Sequence, residues 1–395
     1  MRLWLPCVTM MLMSIIQLID RTMLAVLAPT ILADTHLINL QYGWIMSVSS
    51  LVFMAANPLW GRLLDRTDLW IGVFAAVALW SVASMLNALV ITFAGFMAVR
   101  ALLAFGEGAA LPGGVLTVMR TLSPDRHARG LALFLSGGPV GATLAPLVAT
   151  PVALRFGWRA AFVLAALLGA AWLILWWRFS RNPRLHEIVQ PIVQEPVSLS
   201  DLRLWGFVAI FALGGAPLAF VLYTTPLYLH QALSQSQADL GLLLVIPPLG
   251  SAGGYFFWGW LVDRLLARTS DPMTMYRRLI VMLMLLGLTL AATPLLTRIS
   301  LVMCELFFAM FVFVGFTIVS LSYATTQVFS TRQGGFISGI GIAAWSAMMA
   351  VTMPLFGWLL DIGAYESMFL IATLMPCIGC ALWWGSGRNV RCSTD

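Results

Sequence analysis

Lysine is missing altogether from this chain: all 22 of its basic residues are arginine. With no amine side chain to condense with a carbonyl, lysine Schiff-base chemistry is excluded. Charge of either sign is scarce, at 10% of 395 residues, and the four histidines (His36, His127, His186 and His230) all fall in or beside loops. No histidine proton relay is therefore available inside the apolar segments. The five cysteines, Cys7, Cys304, Cys377, Cys380 and Cys392, are scattered. Cys377 and Cys380 have CxxC spacing, but they lie within an apolar run with no second ligand pair, so packing accounts for them. No HExxH, no nucleophile–histidine pairing and no metal-ligand cluster occurs, so the chain reads as a non-enzyme with no metal and no cofactor.

What the chain has in abundance is apolar length. Hydrophobic residues make up 61% of it and the mean hydropathy is +0.92, more apolar surface than a soluble fold can hide. Runs near twenty apolar residues recur throughout, each matching a hydrocarbon core of about 30 Å at 1.5 Å per residue. The expectation is an all-α polytopic membrane protein with about twelve transmembrane helices. The first six are Leu3–Leu27, Gln41–Leu64, Trp70–Leu89, Thr92–Met119, Gly130–Leu154 and Trp158–Trp177. The second six are Leu204–Leu229, Gln237–Leu261, Leu279–Leu296, Leu301–Val328, Phe336–Leu360 and Tyr365–Trp384. The first run carries Asp20-Arg21 and no small-residue cleavage site, so it reads as a retained helix and not a signal peptide. A polar stretch with Pro183, Pro191 and Pro196 separates the halves, giving bundles at 1–180 and 204–395 and a cytoplasmic linker at 181–203.

The net charge of +6 and a pI near 9.4 reflect topology, not nucleic-acid binding. If both termini share one side, Arg62, Arg66, Arg120, Arg126, Arg129, Arg264, Arg268, Arg277, Arg278 and Arg332 fall there too. The other side keeps only Arg155, Arg159 and Arg298. The positive-inside rule then makes both termini cytoplasmic. An internal repeat supports the halving. Gly61, Asp65 and Arg66 end the second run, and Gly259, Asp263 and Arg264 end the eighth at the same Gly-x-x-x-Asp-Arg spacing. Two parallel six-helix repeats follow, with the glycines allowing close approach and the Asp-Arg pairs latching neighbouring helices at the membrane edge.

Two acid–arginine pairs interrupt these spans: Asp20-Arg21 in the first, Arg100 and Glu107 in the fourth. An ionisable group at membrane depth costs roughly 2.5–3.5 kcal/mol on insertion scales, so it normally faces a cavity or a partner. Arg100 and Glu107 share a helix face, about 10 Å apart along the axis. Asp20 and Arg21 diverge by about 100°, so one arrangement has Asp20 lining a path and Arg21 bracing another helix. Two arginines and two carboxylates balance when both acids are ionised. An anion entering this cavity adds one negative charge and raises the affinity of Asp20 or Glu107 for a proton, and the proton in turn favours the anion. Carrying an anion into a negative compartment costs about 2.3 kcal/mol per 100 mV; one proton cancels that cost and a second makes entry favourable. The competing reading of the same four groups is a pair of buried salt bridges joining helices.

The segments Ile19-Asp20-Arg21, Gly43-Trp44, Gly61 to Arg66, Arg100-Ala101-Leu102-Leu103-Ala104-Phe105-Gly106-Glu107 with Pro112, and Phe156-Gly157-Trp158-Arg159-Ala160-Ala161-Phe162 resemble the major facilitator superfamily. More narrowly they resemble its anion:cation symporters of sugar acids (hexuronate, galactonate, glucarate) and phthalate. In the second half, Thr225-Pro226-Leu227-Tyr228-Leu229 resembles a seventh-helix motif of that family. The resemblance implies proton carriers at Asp20 and Glu107, a substrate carboxylate at Arg100, and protons as the only coupling ion. It also implies a monomer in the inner membrane of a bacterium, with membrane lipid around it and a small organic anion as substrate. Candidates to complete the pocket are Arg21, Phe53, Asn57, Tyr223, Thr225, Tyr323, Trp345 and Ser346; helix–helix hydrogen bonding or packing serves several of them equally. Glu305 reads as snorkelling from near the end of the tenth span. Gly137-Gly138-Pro139 and Pro247-Pro248 read as helix breaks that permit bending. Where sugar-acid members carry hydroxyl-reading polar residues, this chain has Leu18, Phe53, Gly138 and, near the eleventh-helix position, Ala347. An organic carboxylate with fewer hydroxyls, partly aromatic, is the expected substrate. The alternative is a proton-coupled drug exporter of the same fold, for which Gly137-Gly138-Pro139-Val140-Gly141 is a partial likeness.

Overall fold

The computed structural model describes residues 4–179, 182–186, 200–269, 271–296, 300–329 and 334–386, and its regular structure there is helical. The first six helical segments are Leu5–Val26 continued by Ala28–Thr35, Asn39–Arg66, Leu69–Asn87, Phe93–Glu107 with Ala110–Thr121, His127–Leu135 with Gly137–Phe156, and Trp158–Trp177. After the short helix Pro183–His186 the seventh segment is Leu202–Gly214, Ala216–Tyr223 and Thr225–Leu233, and the eighth is Gln237–Leu243 with Ile246–Leu266. The ninth runs from Pro272–Leu288 through Thr289–Ala292 to Thr293–Leu296; Leu301–Phe329, Gly334–Asp361 and Tyr365–Ser386 complete the series. Among the described residues nine helices are long and apolar enough to cross a membrane. The second, eighth and ninth segments fall short of that measure when each helix is taken alone, being shorter or more polar, and they fill the remaining places in the expected order.

The breaks within segments share one cause. Those at Leu27, Gly108, Ser136, Gly215, Thr224 and Leu244 each come a few residues before a proline: Pro29, Pro112, Pro139, Pro217, Pro226 and Pro247. A proline ring lacks the N–H that closes the preceding turn and crowds the carbonyl four residues back. Intact ends are capped by side chains. Asp68 accepts from the Ile71 N–H at 3.1 Å, Thr92 from Gly95 at 3.2 Å and Asp271 from Thr274 at 3.1 Å, each satisfying a donor the helix leaves orphaned. Asp201 caps the seventh segment through the Arg203 N–H at 2.9 Å. The Arg203 guanidinium, also bonded to it, holds the Asp201 carboxyl below the usual carboxylate range. Of the linker, only the stretch through His186 and the stretch from Ser200 is described. Leu185 is buried there, and His186 pairs with Asp68.

One end of the molecule is stitched shut between the first six and last six segments. Asp361 accepts from the Asn39 N–H at 3.0 Å, the Leu40 N–H at 2.9 Å and the Asn39 amide at 2.7 Å, so a carboxylate of the eleventh segment caps the second. Gln231 donates to Asn39 at 3.1 Å, Thr30 to Gln237 at 2.8 Å, Ser47 to the Ala350 carbonyl at 2.6 Å, and Tyr42 to the Tyr223 carbonyl at 2.8 Å. The second and eleventh segments approach so closely that a Cβ on Gly43 would lie 2.7 Å from the Pro354 Cα and 2.8 Å from the Met353 carbonyl carbon. Only glycine fits there.

At the opposite end the expected latches are not formed. Asp65 is half-buried and Arg66, Asp263 and Arg264 are exposed. Among the described residues none of the four makes an ion pair within 4.0 Å. Arg264 lies over the Trp260 ring at 5.3 Å instead. A Cβ on Gly61 would meet only the Pro112 Cβ at 3.9 Å, an ordinary contact, so close approach does not require glycine there in this conformation; the surroundings of Gly259 lie outside the described residues. Snorkelling at Glu305 is also overturned: the residue is fully buried, enclosed by the helices packed around the tenth segment.

Candidate functional site: four buried charges at the centre

The first segment carries Asp20 and Arg21 in opposite senses to the expected arrangement. Arg21 faces the central cavity and the second segment, with its guanidinium carbon 4.1 Å above the Phe53 ring, a cation–π contact. Asp20 turns away and is 1% exposed. There Ser84 of the third segment donates to its Oδ1 at 3.0 Å, and the same hydroxyl lies 3.3 Å from the Phe162 carbonyl of the sixth. Asp20 is thus the braced member of the pair and Arg21 lines the path.

The fourth segment brings Arg100 and Glu107 to one face, as their seven-residue spacing requires. Both are buried, at 3% and 2% exposure. The Arg100 guanidinium lies 5.5 Å from the Phe162 ring centre and within electrostatic reach of Asp20, Glu107, Tyr42 and Tyr223. Glu107 feels Arg21, Asp20 and Arg100. Gln17, one turn before Asp20, donates to the Glu107 carbonyl at 3.2 Å and pins the point where the fourth segment breaks. Arg21, Arg100 and Glu107 line one cavity with Met46, Ser49 and Ser50 of the second segment, and Met349 of the eleventh closes it. Its volume, about 20 Å³, suits a water molecule and is far below the few hundred Å³ of a typical small-molecule site.

The four charges are not locked together. No guanidinium–carboxylate distance within 4.0 Å joins Asp20, Arg21, Arg100 and Glu107. Arg100 Nε and Nη2 and Glu107 Oε1 are buried without any hydrogen-bond partner. Buried salt bridges that served only to join helices would satisfy these atoms, because an unpartnered buried charge is strongly destabilising. Donors and an acceptor held open beside a cavity are what an incoming anion and a proton can complete.

Of the residues anticipated from sequence, Asp20, Arg21, Phe53, Arg100, Glu107 and Tyr223 come together; Tyr223 is buried within electrostatic reach of Arg21 and Glu107. Four others do not line the central cavity. Thr225 turns its hydroxyl back to the Val221 carbonyl at 2.6 Å. Trp345 donates to the Gly215 carbonyl at 3.3 Å, covering a break in the seventh segment. Ser346 is buried and Asn57 half-buried, with Ser346 Oγ and Asn57 Nδ2 unpartnered. Tyr323 lies on the tenth segment, but its side chain falls outside the described residues. Sequence reasoning missed Gln17, Tyr42, Ser84 and Phe162. Gln17 could have been found as a lone amide one turn from Asp20 in an apolar run. Tyr42 sits where an interfacial tyrosine is ordinary, and nothing local marks Ser84.

A family model for the Major Facilitator Superfamily matches residues 10–340. Among curated relatives, the hexuronate transporter of Bacillus subtilis (strain 168) is 26% identical over 281 residues, covering 68% of this chain and 66% of the relative. A probable L-galactonate transporter of Escherichia coli (strain K12) is 26% identical over 278 residues, covering 66% of this chain and 61% of the relative. The chain thus spans slightly under two thirds of the length of these relatives. Among solved structures, an inward-facing, unoccupied bacterial homologue of the human lysosomal transporter Spinster superposes with a TM-score of 0.77 at 15% identity, covering 96% of both chains. At that identity the likeness concerns the fold.

Proposed function

This chain belongs to the Major Facilitator Superfamily, a multi-pass membrane fold, and from that premise we propose that it is a proton-coupled symporter of a small organic carboxylate. The observation that carries the reading is the unpartnered set Arg100 Nε, Arg100 Nη2 and Glu107 Oε1, buried beside a cavity that Arg21 also lines. Two guanidinium donors in a planar fork match a carboxylate side-on. Arg100 binds the substrate carboxylate, and Arg21, held over Phe53, supplies a second positive charge. Glu107 takes a proton when the anion enters, since otherwise the cavity would hold three negative charges against two positive. Asp20, braced by Ser84 and within reach of Arg100, is the second proton site. Movement of the two halves then exposes the site alternately on each side, with the proline breaks as bending points.

The substrate class follows from the walls. Met46, Leu103, Ala104 and Met349 are apolar, and the Ser49 and Ser50 hydroxyls bond back to Ile45 and Met46 at 2.9 Å each. A site with so few free hydroxyl partners favours an acid with few hydroxyls. The relatives named for hexuronate and galactonate transport support an organic acid as the substrate. With the termini cytoplasmic in a bacterial inner membrane, the stitched end faces outward and the chain is in an inward-facing state. The Asp65–Arg66 and Asp263–Arg264 latches then close in the opposite state. Gly141 also has a packing reason, since a Cβ there would lie 2.5 Å from the Ile15 carbonyl oxygen of the first segment, so the motif does not by itself favour an exporter. Uptake of a labelled carboxylic acid into proteoliposomes, with and without an inward proton gradient, tests the proposal. Accumulation above the equilibrium level only under the gradient is expected, and equal accumulation in both would overturn it.

A further inference from the structure

Glu305 is a fully buried carboxyl that the central site does not use. It lies on the second turn of the tenth segment, 0% exposed, and neither Oε1 nor Oε2 has a hydrogen-bond partner. Among the described residues no charged group acts on it. The titratable groups on the elements around it confirm its isolation. At its own end are Cys304 beside it, Tyr228 of the seventh segment and Tyr365 of the twelfth, the two tyrosines packed edge to face. Asp361 of the eleventh is committed to Asn39, and Asp239 at the start of the eighth to Ser236. Arg203 of the seventh, Asp263 and Arg264 of the eighth and Tyr276, Arg277 and Arg278 of the ninth sit at the other end of their helices. Tyr223 of the seventh lies by Arg21 and Glu107 of the central site. Arg298 lies outside the described residues.

The eighth segment supplies the other half of the geometry. It runs alongside the tenth in register: Gly250 lies against Ala309 and Gly254 against Phe313. The same offset puts Glu305 level with Ile246, at the break between Gln237–Leu243 and Ile246–Leu266. Pro247 and Pro248 carry no N–H, so the Leu243 and Leu244 carbonyls lack the donors a continuous helix would offer them. A fully buried carboxyl with no donor to either oxygen is tolerated only as the neutral acid. Ionised, it would have no hydrogen-bond donor and, among the described residues, no cation to offset it. This neighbourhood belongs to the stitched end of the molecule.

We propose that Glu305 is a proton-binding site in the second half of the transporter, separate from Asp20 and Glu107, whose protonation is required for the stitched end to close. The neutral acid fits the dry, closed packing. The carboxylate needs water, which reaches it only when the helices at that end part. Loss of the proton therefore shifts the population towards the state open at that end, by up to about tenfold per pH unit for one proton. The inference rests on the alternating-access reading above.

The test uses purified full-length protein in detergent, with Thr30→Cys as a reporter at the stitched end. Its rate of reaction with a hydrophilic thiol reagent is measured from pH 6 to 9 in the native and Glu305→Gln backgrounds. The ratio of the two rates at each pH removes the thiolate's own pH dependence. The expected ratio is near one at pH 6 and rises several-fold or more towards pH 9, because glutamine mimics the neutral acid at every pH. Glu305→Met, which keeps the volume without polar atoms, behaves as Glu305→Gln does. A ratio that stays flat across the range overturns the Glu305 site and leaves alternating access standing. No reaction in any background at any pH overturns both.

Discussion

Replacing Arg100 by lysine isolates what the guanidinium fork contributes. Arg100→Lys retains the positive charge, so the balance among Asp20, Arg21, Glu107 and position 100 is kept and the fold is preserved. What changes is geometry. Arginine offers Nε and Nη2, both buried and unpartnered, as a parallel pair for a carboxylate, whereas lysine offers one ammonium at the end of a flexible stem. At least one charge-assisted hydrogen bond is lost, contributing about 1.5–3 kcal/mol. At tenfold per 1.4 kcal/mol, the dissociation constant for the carboxylate rises by about 10- to 150-fold. The stacking of the guanidinium near Phe162 at 5.5 Å adds a smaller loss in the same direction. The assay is calorimetric titration with an acid first identified by thermal stabilisation of the purified protein. An affinity within twofold of the wild type, in a variant that melts at the wild-type temperature, would refute Arg100 as the anion-binding group.

Glu107→Gln fixes the protonated form: counterflow exchange in proteoliposomes persists while gradient-driven accumulation falls to the equilibrium level. Ser84→Ala removes the 3.0 Å hydrogen bond to Asp20, so the carboxylate form loses support and the proton is held to higher pH. The pH at which substrate affinity falls by half moves up by about one unit, read from titrations across pH. Gly43→Ala sets a methyl against the backbone of Met353 and Pro354, which cannot yield as a side chain would. The stitched end is forced open, and a cysteine placed at Ser47 reacts with a hydrophilic thiol reagent several-fold faster than it does with Gly43 intact.

The span order was legible because twenty-residue apolar runs have one physical use, and the central charges because ionisable groups at membrane depth are too costly to be incidental. The second, eighth and ninth segments were placed by their apolar runs too, although their helices fall short of a lone span, the ninth because Pro272–Leu288 is only 17 residues long. Helix periodicity gave Arg100 and Glu107 a shared face correctly. It gave the divergence of Asp20 from Arg21 but not which of them faced inward. That choice depends on Ser84 and Phe53, distant residues with no local signal. Thr225 and Trp345 stayed open between pocket and packing because a polar side chain in an apolar helix can satisfy its own backbone or cover a proline break as readily as line a pocket. Glu305 was misread for a related reason: proximity to a helix end suggested an interface, while the packing of neighbouring segments enclosed it. The latches at Asp65 and Asp263 depend on which end of the molecule is closed, a property of conformation that one sequence pattern does not carry.

In the proposed mechanism an organic anion and a proton enter the same buried site together. The most direct measurement of this is the number of protons exchanged with solvent on substrate binding, obtained by calorimetry of the purified protein in two buffers of different ionisation enthalpy. Linkage requires that an anion bound beside Asp20 and Glu107 raise their proton affinity. Net proton uptake on binding is expected, with affinity that increases as pH falls. Proton release, or affinity that increases with pH, would contradict it and favour a site built for cations.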